Sequence, residues 1–261
     1  MTTMNTKDLA ERILAQRVNR YLDAGPSLAP WGGARFRIEG GRVRVGYAFA
    51  RPGAAGQVVE RVLRFANDRR LQVQWTVAPE RPGEAELMEA LAAASFAPIE
   101  RLLLMARQGC LTTPTNPHVT VLPISTWHDM WRYEHISRQC FYDDPRPSDA
   151  LVGQRASERW REQEHGWCRY FQAYLDGTLA GGCYVSLYED VPTIMGVCTL
   201  PQARQQGVAT ALLVRTVASV MVPTNEVVCL FVEVGNPAES LYRALGFMPL
   251  LRSDTYQWGQ Q

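Results

Sequence analysis

Apolar and polar positions recur with different periods along the chain, and each change of period marks an element. Lys7 to Leu22 carries Leu9, Ile13, Leu14, Val18 and Leu22 on one stripe, the spacing of an amphipathic helix. Pro26 to Gly33 punctuates it. Phe36–Ile38 and Val43–Phe49 follow as two strands joined through Glu39-Gly40-Gly41. Ala54–Ala66 has the helical period, with Val58, Val59, Val62, Leu63 and Phe65 apolar. Leu71–Val77 alternates like a strand, and Glu84–Ala94 is a further helix before Phe96 and the apolar run Leu102–Met105. Residues 36–107 therefore read β-β-α-β-α-β, a small α/β unit. Gln108–Pro117, rich in Thr and Pro, forms a boundary.

The second half opens with a strand at Val119–Leu122, stopped by Pro123. Thr126–Cys140 is expected to be helical, with Trp127, Met130, Trp131, Tyr133 and Ile136 read as core side chains rather than substrate contacts. Asp149–Glu164 follows as a second helix whose arginines read as a solvated face. Trp167–Leu175 and Thr178–Leu187 make a hairpin around Asp176-Gly177. Thr193–Leu200 is short, apolar and partly β-branched, which suits a buried strand, and Pro201 ends it. From Val208 onward Ala209, Leu212, Leu213, Val217 and Val220 recur at helical steps. Val227–Val234 is another strand, Pro237–Leu245 a short helix stopped by Gly246, and about Thr255–Trp258 a closing strand. This order, β-α-α-β-β-β-α-β-α-β, has three consecutive strands in its middle. It is neither a doubly wound nucleotide fold nor a barrel of βα repeats.

The break between the Thr193 strand and the Val208 helix is the place where chemistry is expected. The first amides of a helix have no internal partners and its dipole is positive at that end, so a phosphate placed there is held by backbone N–H groups. Gly207 permits close approach, and small Ala209 keeps the first turn uncrowded. The same strand–turn–helix pattern also occurs in α/β domains without any ligand. The spacing is neither the GxxxxGK[ST] phosphate loop nor GxGxxG, which disfavours a nucleoside triphosphatase or a dinucleotide fold.

Composition narrows the field further. Hydrophobic residues make up 46% of the chain, enough for a core, and the net charge of +1 gives no broad polybasic surface for nucleic acid. No run of eighteen apolar residues exists and MTTMNTKDLAERIL lacks a hydrophobic leader core, so neither membrane association nor export is expected and residence is expected to be cytoplasmic. The six cysteines form no CxxC pair and the four histidines have no metal-site spacing with them, so neither a disulfide scaffold nor a zinc site is expected.

Two motifs carry a resemblance. Arg204-Gln205-Gln206-Gly207-Val208-Ala209 follows the strand ending Val197-Cys198-Thr199-Leu200-Pro201, and Asn236 begins a segment ending Leu241-Tyr242-Arg243-Ala244-Leu245-Gly246-Phe247. The first is similar to the R/Q-x-x-G-x-G/A acyl-CoA signature, the second to the N…LYxxLGF tail, of the GNAT superfamily of N-acetyltransferases, over residues 119–261. The resemblance implies an α/β GNAT fold, a mixed central sheet with a splayed strand pair opening a cleft. It implies that backbone groups of Val197, Cys198 and Thr199 pair with the pantetheine arm of acetyl-CoA. Arg204 belongs to the signature, and the amides of Gln205, Gln206, Gly207, Val208, Ala209 and Thr210 would take the pyrophosphate. Asn236 resembles the family asparagine near the sulfur, and Tyr242 the tyrosine that protonates the departing thiolate. Tyr242 falls six positions after Asn236, where the family often has seven, so Gly235-Asn236-Pro237 also reads as a turn before the helix.

No carboxylate lies on the Thr193–Leu200 strand. Glu233 is the expected general base, with Glu189 and Asp190 as alternatives; alternation puts Glu233 on the face of Phe231, opposite Val232 and Val234. Cys198 is a rival acyl acceptor, but no histidine partner is identifiable in the sequence. Leu91–Phe96 is weakly similar to Tyr242–Phe247, so residues 1–110 resemble a degenerate GNAT-like half, joined through a linker at 111–118 to an acetyltransferase domain at 119–261. Arg51-Pro52-Gly53-Ala54-Ala55-Gly56 lacks the signature spacing, and the first half is expected to bind no cofactor. The expected activity is direct acetyl transfer from acetyl-CoA to a primary amine, small-molecule or peptide, by a monomer or homodimer. The rival is a non-catalytic acyl-CoA sensor or interaction module on the same fold.

Overall fold

The computed structural model describes residues 8–11, 13, 32–33, 36–39, 41–46, 49–50, 52–81, 83–142, 147–187, 191–222 and 226–259. Most of the helix expected over Lys7–Leu22 lies outside these residues, as do Gly40, Arg51, Asp143–Arg146 of the expected loop, and Glu189 and Asp190. The chain forms two compact units. The first comprises Met1–Met105, Val232–Glu239 and Pro249–Gln261; the second comprises Ala106–Phe231 and Ser240–Met248. The division thus groups two late segments with the first unit, across the 119–261 boundary drawn from sequence.

In the first unit β1 (Gly32–Gly33) and β4 (Phe49–Ala50) form a short antiparallel ladder. The larger sheet takes β2 (Phe36–Glu39), β3 (Arg42–Gly46), β5 (Gln72–Val77), β12 (Met248–Trp258) and β6 (Ala97–Gln108), in that order. β2 and β3 pair antiparallel, β3 and β5 parallel. β12 runs antiparallel to β5 from Asp254↔Val77 to Trp258↔Val73, which is why the chain's last strand belongs here. That strand starts at Met248 rather than near Thr255. Helices α1 (Ala55–Asp68) and α2 (Glu84–Ala93) help cover a core of Val43, Val45, Val59, Val62, Val73, Trp75, Leu87 and Leu91. Trp75 meets Phe96 edge-on at 6.2 Å. No side chain caps α1 from its own N-terminus. Glu86 of α2 does so instead, its carboxylate accepting from Gly53 N–H (3.0 Å) and Ala55 N–H (3.3 Å).

The second unit carries β7 (Val119–Pro123), α3 (Trp127–Phe141), α4 (Asp149–Glu164), β8 (Cys168–Leu175), β9 (Thr178–Ser186), β10 (Thr193–Thr199), α5 (Val208–Val220) and β11 (Val227–Glu233). Thr126 and Ser148 cap α3 and α4 by accepting from Asp129 N–H and Leu151 N–H. The sheet order is β11-β10-β9-β8-β7. β7, β8, β9 and β10 are antiparallel neighbours, and β10 pairs parallel with β11. This is the mixed central sheet that the resemblance implies. β7 is outermost; Ile124, just past it, donates its N–H to Tyr170 O at 2.9 Å. Asp176 (φ 47°) and Gly177 (φ 77°) turn the β8–β9 hairpin in the left-handed region, as that short loop requires.

Alternation along β9 separates two layers. The Cys183 thiol meets Thr216 Oγ1 of α5 at 3.1 Å, whereas Gly182 lies against the ring of Tyr133 from α3. Any Cβ at Gly182 would come within 2.7 Å of that ring, so glycine is what lets Tyr133 close on the sheet. Met130, Tyr133 and Ile136 are buried as expected, but Trp127 is exposed, its indole N–H donating to Ser157 Oγ at 3.3 Å.

The arginines of α4 are not all solvated. Arg159 points into the unit, its Nε donating to Glu134 at 2.7 Å, and its guanidinium lies 5.7, 5.8 and 5.5 Å from the ring centroids of Tyr133, Tyr170 and Tyr184. Glu134 is itself buried. The reason is long-range: Arg159 neutralises a carboxylate on the neighbouring helix, a pairing that periodicity does not reveal.

Two outcomes follow. Glu134→Ala leaves Arg159 without its counter-ion and is expected to lower stability by about 3–5 kcal/mol in urea unfolding; the double variant Glu134→Leu/Arg159→Met is expected to lose less. Glu84, buried at the start of α2 with Arg81 3.5 Å away, has its carboxyl pushed up to about 7 by burial, against the pull of Arg81 and a backbone hydrogen bond from Ala78. Its stabilising contribution is full below its unfolded value and is lost as pH rises through about 7. In Glu84→Gln, unfolding free energy measured from pH 4 to 8 should lose that decline, on the order of 2–3 kcal/mol.

Candidate active site

β10 is interrupted on both sides. Toward β9 its ladder runs Thr193↔Ser186, Ile194↔Val185, Met195↔Tyr184, then jumps to Cys198↔Gly182 and Thr199↔Gly181, leaving a bulge at Gly196 and Val197. Toward β11 it pairs only at Thr193↔Cys229 and Ile194↔Leu230 among the described residues. The parallel pair therefore opens after Ile194, and the rest of β10 runs on without a ladder partner on that side.

The chain leaves β10 through a short 3-10 turn at Pro201–Ala203, held by Leu200 N–H to Ala180 O and Ala203 N–H to Leu200 O, both 2.9 Å. Gln205 (φ 61°) and Gly207 (φ 78°) then adopt left-handed backbone, and α5 begins at Val208. The first intrahelical bond at this end joins Ala211 N–H to Gly207 O at 3.0 Å. The N–H groups of Val208, Ala209 and Thr210 precede it, and Gly207 has no side chain to cap them.

These residues border a cleft of about 360 Å³. The structure brings together there Thr199, Arg204, Gln205, Gly207, Val208, Ala209 and Thr210, all singled out from sequence, with Ala203 and Leu241, which were not. Arg204 is exposed, its Nε donating to Thr199 O at 3.3 Å. Orphan amides, the positive end of a helix and a guanidinium make a cleft chemically suited to a diphosphate.

The remaining expected residues are not among those lining this cleft. Gln206 turns away from the lining, its side chain donating to Gln202 O at 3.0 Å. Val197 lies in the bulge, and the Cys198 side chain is buried. Tyr242, beside Leu241 in α6 (Ala238–Ala244), is 6% exposed, its phenol pushed up to about 12 by burial and then by the charge of Cys183. Glu233 and Asn236 belong to the first unit. Asn236 Oδ1 accepts from Ala238 N–H at 2.9 Å, so the asparagine forms the turn that starts α6. Glu233 is exposed rather than set among apolar neighbours; Glu100, in the same unit, has its carboxyl raised by partial burial and then by the charge of Glu233, against Arg44.

Sequence reasoning missed Asn116, which fell within the Thr/Pro-rich boundary. Its Nδ2 donates to Gln206 O at 2.9 Å, its Oδ1 accepts from His118 N–H at 3.0 Å, and its carbonyl accepts from Val119 N–H at 3.0 Å. The residue ties the left-handed turn to the start of β7. A lone asparagine between Thr and Pro carries no signal beyond turn chemistry.

Residues 128–247 match the Acetyltransferase (GNAT) family, so a GNAT acetyltransferase domain occupies that part of the chain. The match supports a function of that kind in general terms, acyl-CoA binding or transfer. The fold is similar over nearly its whole length to a GCN5-related N-acetyltransferase from Kribbella flavida (15% identity, 97% of this chain and 96% of that one, TM-score 0.72). It is similar to another from Sphaerobacter thermophilus (17% identity, 97% and 92%, TM-score 0.68). A tandem GNAT protein from the clavulanic acid biosynthesis pathway shares it as well (15% identity, 98% and 97%, TM-score 0.64). The sequence matches no curated protein. Among the described residues no helix is long and apolar enough to cross a membrane.

At Gly207 a Cβ would sit 3.2 Å from Asn116 Cβ and the backbone is left-handed. Gly207→Val is expected to cost about 1–2 kcal/mol, read as a lowered midpoint in urea unfolding.

Proposed function

We propose that the second unit binds acetyl-CoA at the start of α5 and transfers its acetyl group directly to a primary amine. The observation that carries this reading is the set of N–H groups at Val208, Ala209 and Thr210, which precede the first helical hydrogen bond and border a cleft that Arg204 also lines. The amides from Gln205 to Thr210 and the guanidinium hold the diphosphate, and the open side of β10 at Val197–Thr199 offers backbone groups to the pantetheine arm. Acetyl-CoA supplies the activated acyl group.

In the transfer the neutral amine nitrogen bonds to the thioester carbon, the carbon–sulfur bond breaks, the sulfur leaves with a proton from Tyr242, and the nitrogen gives up one proton, through water, that restores the phenol. A phenol pushed up to about 12 stays protonated throughout the physiological range and is available as that donor. Burial of the Cys198 thiol and its upward-shifted pKa, from a Cys140 hydrogen bond and desolvation, disfavour a covalent acyl-enzyme. Glu233, the base expected from strand alternation, and Asn236, which the resemblance sets beside the sulfur, belong to the first unit and form no part of this reading. The burial of Tyr242 favours a second reading, an acyl-CoA-binding module without turnover.

Calorimetry with CoA tests the first claim: the wild-type chain should bind, and folded Gly207→Val should bind at least tenfold more weakly. Unchanged affinity in that variant would sink it. Tyr242→Phe is expected to leave CoA affinity within about twofold and lower kcat by about 10–100-fold against an amine panel. Between pH 8 and 10 the wild-type rate should show no decline attributable to this phenol. Binding without turnover on any amine would decide for the second reading.

A further inference from the structure

Cys140 lies one turn beyond Ile136 on the same face of α3, and Cys198, in β10, lies two residues before Leu200, which directly follows the strand. The two segments meet. Ile136, Cys198 and Leu200 form one apolar cluster, and Cys140 packs against it with Leu179. Neither cysteine is in a disulfide; Cys198 is 4% exposed, whereas Cys140 is partly open to solvent. The Cys198 thiol, acting on the Cys140 sulfur foremost, with the Arg204 guanidinium assisting, holds the Cys140 thiol below its ordinary range despite partial burial. An accessible thiol with a lowered pKa beside a second thiol is the arrangement in which oxidation ends as a disulfide. Cys198 directly precedes Thr199, which lines the cleft and whose carbonyl accepts from Arg204.

We infer that Cys140 and Cys198 form a peroxide-sensitive dithiol whose closure to a disulfide weakens CoA binding at the adjoining cleft. The bond stands on the packing of α3 against β10, and only its consequence rests on the function proposed above. The Cys140 thiolate attacks one oxygen of hydrogen peroxide, the O–O bond breaks, and the departing hydroxide takes a proton to leave as water. The Cys198 sulfur then attacks the sulfur of the Cys140 sulfenic acid. The S–O bond breaks and the hydroxyl leaves with the Cys198 proton as a second water. The two thiols together lose two electrons and two protons, and the peroxide is reduced. Closing the two sulfurs of this cluster to about 2.05 Å draws the end of β10 toward α3 and moves the Thr199 carbonyl with it.

The test uses the full chain, reduced or treated with hydrogen peroxide. Non-reducing peptide mapping should yield a Cys140–Cys198 linked pair about 2 Da lighter than its two parts, reversed by dithiothreitol. Calorimetry should show CoA affinity at least tenfold lower after oxidation and restored on reduction. Cys140→Ser should bind CoA as the reduced protein does and be indifferent to peroxide. Oxygen adducts on Cys140 without a crosslink, or crosslinks to other cysteines only, would overturn the dithiol. A mapped Cys140–Cys198 bond with unchanged CoA affinity would overturn its coupling to the cleft. The same bond in a chain whose reduced form lacks CoA affinity would uphold the dithiol and overturn the cofactor reading, and the coupling with it.

Discussion

A helix must begin somewhere, and the N–H groups of its first turn must be satisfied by something outside it. At several helix starts among the described residues the partner is internal: Thr126 caps α3, Ser148 caps α4, and Glu86 reaches across to the start of α1. At α5 the residue before the helix is Gly207, which has no side chain to give. Its left-handed backbone instead aims the turn so that the amides of Val208, Ala209 and Thr210 border open space. Much else in the second unit serves to hold that turn in place.

Three constraints converge on it. Pro201 ends β10 and starts the short 3-10 turn, which fixes where the chain leaves the sheet. Asn116 pins the carbonyl of Gln206 from the start of β7. The bulge at Gly196 and Val197 and the short pairing with β11 leave β10 with unclaimed backbone leading up to the turn. Behind the strand, Tyr133 closes over Gly182, and Arg159 with Glu134 holds α4 to α3. An interior stiffened by charge and aromatic rings backs an edge that is deliberately unpaired.

Local period made much of this legible. The hairpin at Asp176-Gly177, the helix from Val208 and the strand from Thr193 could be drawn to within a residue or two, because each is specified by turn chemistry or by a stripe of its own. The cleft was legible through the spacing from Arg204 to Ala209. Contacts between distant segments were not. Arg159 reads as solvated until Glu134 is known to face it, Leu241 is only a motif position until it is seen lining the cleft, and Asn116 reads as a boundary residue. The affiliation of β12 with β5 was hidden for the same reason, since strand pairing across such a separation leaves no local trace.

Pro123 ends the outermost strand of the second unit's sheet. Backbone donors alternate in direction along a strand, and the N–H of Ile124 points inward to Tyr170, so the donor that Pro123 lacks belongs to the outward rim. A neighbouring chain seeking to extend the sheet there would meet a missing partner where it needs one, which discourages growth by strand addition along that margin.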